Sequence, residues 1–110
     1  ELLNKKDFLK IVTSEKNHSL QYFPVRLIGK FRSQSLRNHL FKLLKSKNIF
    51  SRKYFYPLIS NFEYNKHIKS ASTSSLPVAN KVSEEILCLP FHGELTVHDI
   101  KKISNVINNL

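Results

Sequence analysis

Arg52 stands two residues before the first of three consecutive aromatics, in the run Ser51-Arg52-Lys53-Tyr54-Phe55-Tyr56-Pro57-Leu58. A guanidinium is a planar fork of donors matched to phosphate or carboxylate, and aromatic rings offer flat faces for stacking or sugar contact. The run therefore suits a flat or anionic ligand. Its plainer reading is an aromatic strand that packs a core, and the residue types alone favour that one.

Other candidate chemistry is thinner. Histidines stand at 18, 39, 67, 92 and 98, with three residues between Cys88 and His92 and five between His92 and His98. A structural zinc needs four convergent ligands, and no pair of ligand pairs occurs here, so no metal site is expected. Cys88 lies between Leu87 and Leu89, the setting of a small buried hydrophobe with an inert thiol rather than a nucleophile. Glu84 and Glu85 are adjacent on an expected helix and point in different directions, so they read as solvating its surface rather than as a general-acid pair. Gly29 and Gly93 are the only glycines, which excludes both the P-loop and the dinucleotide fingerprint. No catalytic, cofactor-binding or metal-binding residue is expected within the chain.

The elements that must position these residues follow from periodicity. Residues 5–12 are a short amphipathic stretch, the end of a helix or a linking strand, and residues 13–19 read as a loop. Tyr22 to Ile28 alternates, with Phe23, Val25 and Leu27 on one side; Pro24 suggests an edge strand, because proline cannot donate to a ladder. Ser33 or Ser35 can cap a helix carrying Leu36, Leu40, Leu43 and Leu44, with Arg37, Lys42, Lys45 and Lys47 on its outer face and Asn48 as a left-handed terminator. Residues 50–59 read as a second strand limited by Pro57, and residues 60–75 as a long polar loop. Leu76-Pro77 opens a helix with Val78, Ala79, Val82 and Ile86, followed by a strand over Leu87 to Phe91. Thr96 and Asp99 form a capping-box start for a last helix lined by Ile100, Ile103, Val106 or Ile107, and Leu110. The expected fold class is α/β (α+β), a small three-stranded sheet packed by helices in the order strand-helix-strand-helix-strand-helix. Residues 1–20 read as a connecting segment and residues 21–110 as the domain.

The chain has 110 residues, 41% hydrophobic and 24% charged, a globular composition sufficient for one core. One cysteine excludes an internal disulfide framework, and no apolar run is long enough to span a membrane. A cytoplasmic, soluble domain is expected, with no membrane partner. Glu1 opens the chain and no Met occurs anywhere, so we expect a processed product, an excised domain or a fragment of something longer. The net charge is +10, and residues 1–53 hold 13 of the 18 basic and three of the eight acidic residues. The excess clusters in Lys30, Arg32, Arg37, Lys42, Lys45, Lys47, Arg52 and Lys53. It reads first as a solvated lysine-rich face and second as a surface for nucleic acid or an acidic partner.

From Tyr22 onward, four blocks in order resemble one family: QYFPVRL, then LRNHLFKLLKSKNI, then FSRKYFYPLIS, then LPVANKVSEEILCLPFHGELTVHDIKKISNVI. Together they are similar to the C-terminal small domain of the DegT/StrS family of nucleotide-sugar aminotransferases, and most like members of the 3-aminotransferase kind acting on dTDP-linked keto-sugars. The third and fourth blocks are the specific ones, and blocks combined at matched spacing outweigh any single motif.

The resemblance implies pyridoxal-phosphate-dependent transamination of a nucleotide-linked keto-hexose, in amino-sugar and polysaccharide biosynthesis. In the family the Schiff-base lysine and the acid that pairs the pyridinium nitrogen belong to a large domain, so no lysine of this chain is expected to be catalytic. Pyridoxal phosphate belongs to the full-length parent and is not expected on this chain alone, which should be inactive. The implied partners are the missing large domain, a homodimer partner and the nucleotide-sugar substrate. By position, Arg52, Tyr54, Phe55 and Tyr56 match the segment that approaches substrate. Where some relatives carry a His after the proline, this chain has Leu58 and Ile59, so no His contact is expected there. The alternative from another class is a small basic RNA-binding or protein-interaction module, with Tyr54 and Tyr56 on an exposed sheet face. Against it, the glycines of the RNA-recognition motif are lacking. A degenerate, truncated paralogue kept only for interaction is a third reading.

Overall fold

The computed structural model describes residues 7–12, 21–28 and 33–110, with side chains beyond Gln34 in the last stretch. The loop expected over residues 13–19, His18, and the cationic Lys30 and Arg32 lie outside the described residues.

Three antiparallel strands form the sheet: β1 (Leu9–Ile11), β2 (Phe23–Leu27) and β3 (Ile86–Leu89), in the order β1-β2-β3. Helices α1 (Ser33–Ser46), α2 (Pro77–Glu85) and α3 (Val97–Asn108) pack with it, giving an α+β domain with the expected three-stranded sheet. The alternation of β2 sends Val25 and Leu27 into the core, where they meet Leu40 and Leu44 of α1, Leu87 and Leu89 of β3, and Ile103 and Ile107 of α3. Between the two candidates on α3, Ile107 is the fully buried one and Val106 packs at the edge.

The sheet draws its third strand from Leu9–Ile11, while residues 50–59 contribute a single bridge through Arg52. Arg52 exchanges both backbone hydrogen bonds with Cys88 (2.9 and 2.8 Å), and the chain then leaves the sheet. The reason is local. Phe55 takes a left-handed conformation (φ 46°), which does not continue a ladder.

Pro24 is not at an edge: β2 is the central strand. Its ring is tolerated there because neither neighbour requires its N–H. Cys88, opposite Pro24 in register, turns both backbone groups to Arg52. On the other side the Pro24 carbonyl accepts from Val12 N (3.2 Å), where β1 has already ended.

Asn48 ends the α1 region with φ 59°, the left-handed terminator expected of it. α1 begins at Ser33, so Ser35 lies inside the helix and is not its N-cap; the residues immediately before Ser33 lie outside the described ones. Residues 59–71 hold three single 3₁₀ turns and no longer element, so the polar stretch is a loop of tight turns. α2 opens with Pro at its first turn as expected, but Val78 is 74% exposed and the helix buries Ser83 and Glu85 instead. Ile86 already belongs to β3, which is buried at every position. The capping box of α3 is present: Thr96 Oγ1 accepts from Asp99 N (3.2 Å) and Asp99 Oδ2 accepts from Thr96 N (3.0 Å).

Candidate functional site

Two adjoining features are built from the 48–56 segment. The first centres on Tyr56. Arg37 is fully buried, not on the outer face of α1. Its Nη1 donates to the carbonyl of Ser83 on α2, its Nη2 donates to Asn38 Oδ1 (3.2 Å), and its guanidinium carbon lies 4.4 Å from the centroid of the Tyr56 ring. One buried arginine thus ties α1, α2 and the aromatic segment together. Burial pulls the Arg37 guanidinium below its ordinary value, opposed by Tyr56 and Glu84. Lys53 approaches the same ring at 5.6 Å and the Phe41 ring at 4.9 Å. Desolvation, then Arg37 and Lys42, lowers the Lys53 ammonium.

Tyr54 and Phe55 sit elsewhere on the segment. Their rings are 4.2 Å apart, and Tyr54 also meets Tyr22 at 5.2 Å. Neither Tyr54 nor Tyr56 lies on a strand, so they do not form the aromatic sheet face that an RNA-binding module would use.

The second feature is an open cavity of about 620 Å³ between the Arg52 bridge and α3. Arg52, His92 and Lys102 bring cationic or titratable groups to it, Tyr22 and Phe91 supply ring faces, and Asn48 adds an amide. Of the four residues picked out by the aromatic run, only Arg52 lines it; Tyr54, Phe55 and Tyr56 do not. Lys102, His92, Tyr22 and Phe91 escape a reading of the run because they come from three other segments.

Cys88 lies at the cavity's base, 4% exposed. Burial pushes its thiol up, with Arg52 pulling the other way. Among the described residues no three His, Cys, Asp or Glu side chains converge as a metal site. Glu85 departs from expectation: it is 2% exposed, and its Oε2 accepts from Nε (3.0 Å) and Nη2 of Arg26 across the end of β2. It sits directly before the buried ILCL strand, and burial of that strand carries Glu85 inward. No described helix is long and apolar enough to cross a membrane.

The cavity also pairs a lysine with an aspartate, the two residue types a pyridoxal phosphate site needs. They do not fit that group. The Asp99 carboxylate is committed to the Thr96 N–H and hydroxyl (3.0 and 2.6 Å), and Lys102 is exposed on α3.

Residues 2–108 match the DegT/DnrJ/EryC1/StrS aminotransferase family, and the chain is a member of it. It is 41% identical over 91 residues to a dTDP-4-amino-4,6-dideoxy-D-glucose transaminase of Escherichia coli, covering 83% of this chain and 24% of that protein. It is 31% identical over 100 residues to a dTDP-4-amino-4,6-dideoxy-D-glucose transaminase of Shigella dysenteriae, covering 91% of this chain and 26% of the other. The chain thus spans about a quarter of the length of these relatives. Its fold matches part of the aminotransferase TlmJ from Streptoalloteichus hindustanus with a TM-score of 0.71 at 22% identity, over 98% of this chain and 27% of that one.

Proposed function

We propose that this chain is the C-terminal small domain of a pyridoxal-phosphate-dependent transaminase that aminates a dTDP-linked keto-sugar. The observation that carries this reading is the 41% identity over 91 residues to a transaminase named for a dTDP-4-amino-4,6-dideoxy sugar. Both relatives are named for a 4-amino sugar, so carbon 4 is the position we assign, in place of the 3-aminotransferase type.

In this reading the domain walls one side of the substrate cleft. Residues 1–20 connect it to a large domain and lend β1 to its sheet, and residues 21–110 form the wall. Pyridoxal phosphate in the complete enzyme supplies the amino carrier and electron sink. What this chain adds is binding and orientation. Arg52 presents an exposed guanidinium to anionic groups, and Tyr54, Phe55 and Tyr56 present ring faces and hydroxyls to the sugar. Support comes from the way Tyr56 is held: its ring is fixed from below by Arg37, a buried cation that loses little freedom on binding. The domain has no transaminase activity alone. Its partners are the large domain, a second subunit and the nucleotide sugar, in the cytoplasm.

The test is transamination of a dTDP-4-keto-6-deoxyhexose by the native polypeptide that contains this sequence, with Tyr56→Ala and Arg52→Ala compared with the parent. A fall of tenfold or more in kcat/KM, about 1.4 kcal/mol of transition-state stabilisation, is expected for each. Unchanged values in both would remove the segment from the cleft.

A further inference from the structure

We infer that the apolar groove between β1 and the N-terminal half of α3 is the seat of the large domain in the complete polypeptide, a placement that rests on the transaminase reading. The face it takes is uncharged and apolar. α3 carries apolar residues at 97, 100, 103 and 107, the spacing of one helix face. Ile103 and Ile107, the later half of that stripe, are buried in the core, while Val97 and Ile100 are 66% and 41% exposed. The stripe therefore runs past the edge of this domain's own core. β1 does the same from the opposite wall. Ile11 stands in register with Val25 and so shares the core face of the sheet, yet Val25 is fully buried and Ile11 is 38% exposed.

These residues meet in one groove of about 550 Å³, with buried Leu89 and Ile103 at its floor and Ile11, Phe91 and Ile100 at its walls. No lysine, arginine, aspartate or glutamate lines it, although the chain carries a net charge of +10. Its polar groups ask little of a partner: Ser104 Oγ donates to the Ile100 carbonyl (2.9 Å), and His92 is exposed to water. Contiguous bare apolar surface of this kind marks an interface. Its occupant follows from length and from the tether. The chain spans about a quarter of its relatives, so most of the surface of such an enzyme lies outside it. β1, which forms one wall, belongs to the segment that leads to the large domain in this reading. A free protein needs roughly 1,200 Å² of buried surface for a stable complex, more than one groove offers. A tethered domain docks at an effective concentration on the order of millimolar and needs far less.

The test places one cysteine on each wall. Ile11→Cys and Ile100→Cys are made separately in the native polypeptide that contains this sequence and in the 110-residue chain, whose amide spectrum verifies its fold. Iodoacetamide labelling at neutral pH is followed by mass spectrometry of the digested protein, which reads each position apart from Cys88. Both cysteines should react at least tenfold more slowly in the native polypeptide than in the 110-residue chain. A smaller difference at either wall overturns the seat. Val97→Cys, at a more exposed position on the same stripe, takes the place of Ile100→Cys if that variant does not fold. In the 110-residue chain the rates should not depend on protein concentration. A rate that falls as concentration rises gives the groove to a second copy of the chain and overturns the large domain as its occupant. Protected cysteines in a native polypeptide without transaminase activity would count against the proposed function alone. Unprotected cysteines in an active one would count against the seat alone.

Discussion

The guanidinium of Arg37 lies 4.4 Å from the centre of the Tyr56 ring, with no part of Arg37 reaching solvent. The relationship joins the helix that carries the buried leucines to the segment that carries the proposed substrate contacts. Arg37 thus has a structural role and an orienting one. Arg37→Met keeps the stem and removes the donors, leaving the Ser83 carbonyl without its partner. A loss of about 2–4 kcal/mol is expected, from a lost charged hydrogen bond and an unsatisfied buried acceptor. Urea unfolding followed by circular dichroism measures it; a loss below 0.5 kcal/mol, the range of surface substitutions, would show that Arg37 ties nothing together.

Glu85 and Arg26 form the other buried polar link. Removing Glu85 leaves the partly covered Arg26 guanidinium without its partner, so Glu85→Leu alone should cost about 1–2 kcal/mol. Replacing both, with Arg26→Met added, should recover most of that loss. A double-mutant cycle in urea reads the coupling, and purely additive losses would mean that the pair is not coupled.

The cap of α3 has a pH signature. Hydrogen bonds from the Thr96 hydroxyl and backbone hold the Asp99 carboxyl below the usual carboxylate range. With the folded pKa depressed, the unfolded state binds the proton more readily. The contribution is therefore present above the ordinary aspartate pKa and is lost as pH falls through the folded value. Thr96→Ala should cost about 1 kcal/mol at neutral pH, the usual worth of an N-cap hydroxyl. The stability gap between Thr96→Ala and the parent should narrow on acidification below the ordinary aspartate pKa. Thermal unfolding of both proteins across that window is the measurement, and a constant gap would count against the carboxylate's part in the cap.

Cys88 offers a direct probe of burial. Its thiol is pushed up by desolvation and is almost wholly covered, so iodoacetamide at neutral pH should label the native chain far more slowly than a free cysteine. Labelling should reach the free rate in urea. Equal rates in native and unfolded protein would mean that the strand edge beside Arg52 opens readily.

Much of this architecture is legible in the residues. The alternation of β2, the Thr96–Asp99 capping box, the Asn48 terminator and the proline start of α2 all form where local chemistry places them, because each depends on neighbours in sequence. Pro24 and the 50–59 run misled because strand membership is settled by partners. Cys88 satisfies Arg52 instead of Pro24, and one left-handed residue turns the aromatic run out of the sheet. Burial of Arg37 had a signal in the helical period: Arg37, Leu40 and Leu44 fall on one face, three and seven residues apart. Lysine and arginine on amphipathic helices are usually assigned outward by charge, and here the face overrides it. Lys102, His92 and Phe91 left no comparable trace, because the cavity that unites them with Arg52 exists only once α3 has packed beside β3.

The central claim is that this chain works as one wall of a sugar transaminase. The most direct measurement is the intact mass of the native polypeptide that carries this sequence, taken with the visible absorbance of bound pyridoxal phosphate. The account predicts a mass several-fold above 12.8 kDa, together with that chromophore. A native species of 12.8 kDa with no chromophore would contradict it, and the domain would then act by itself.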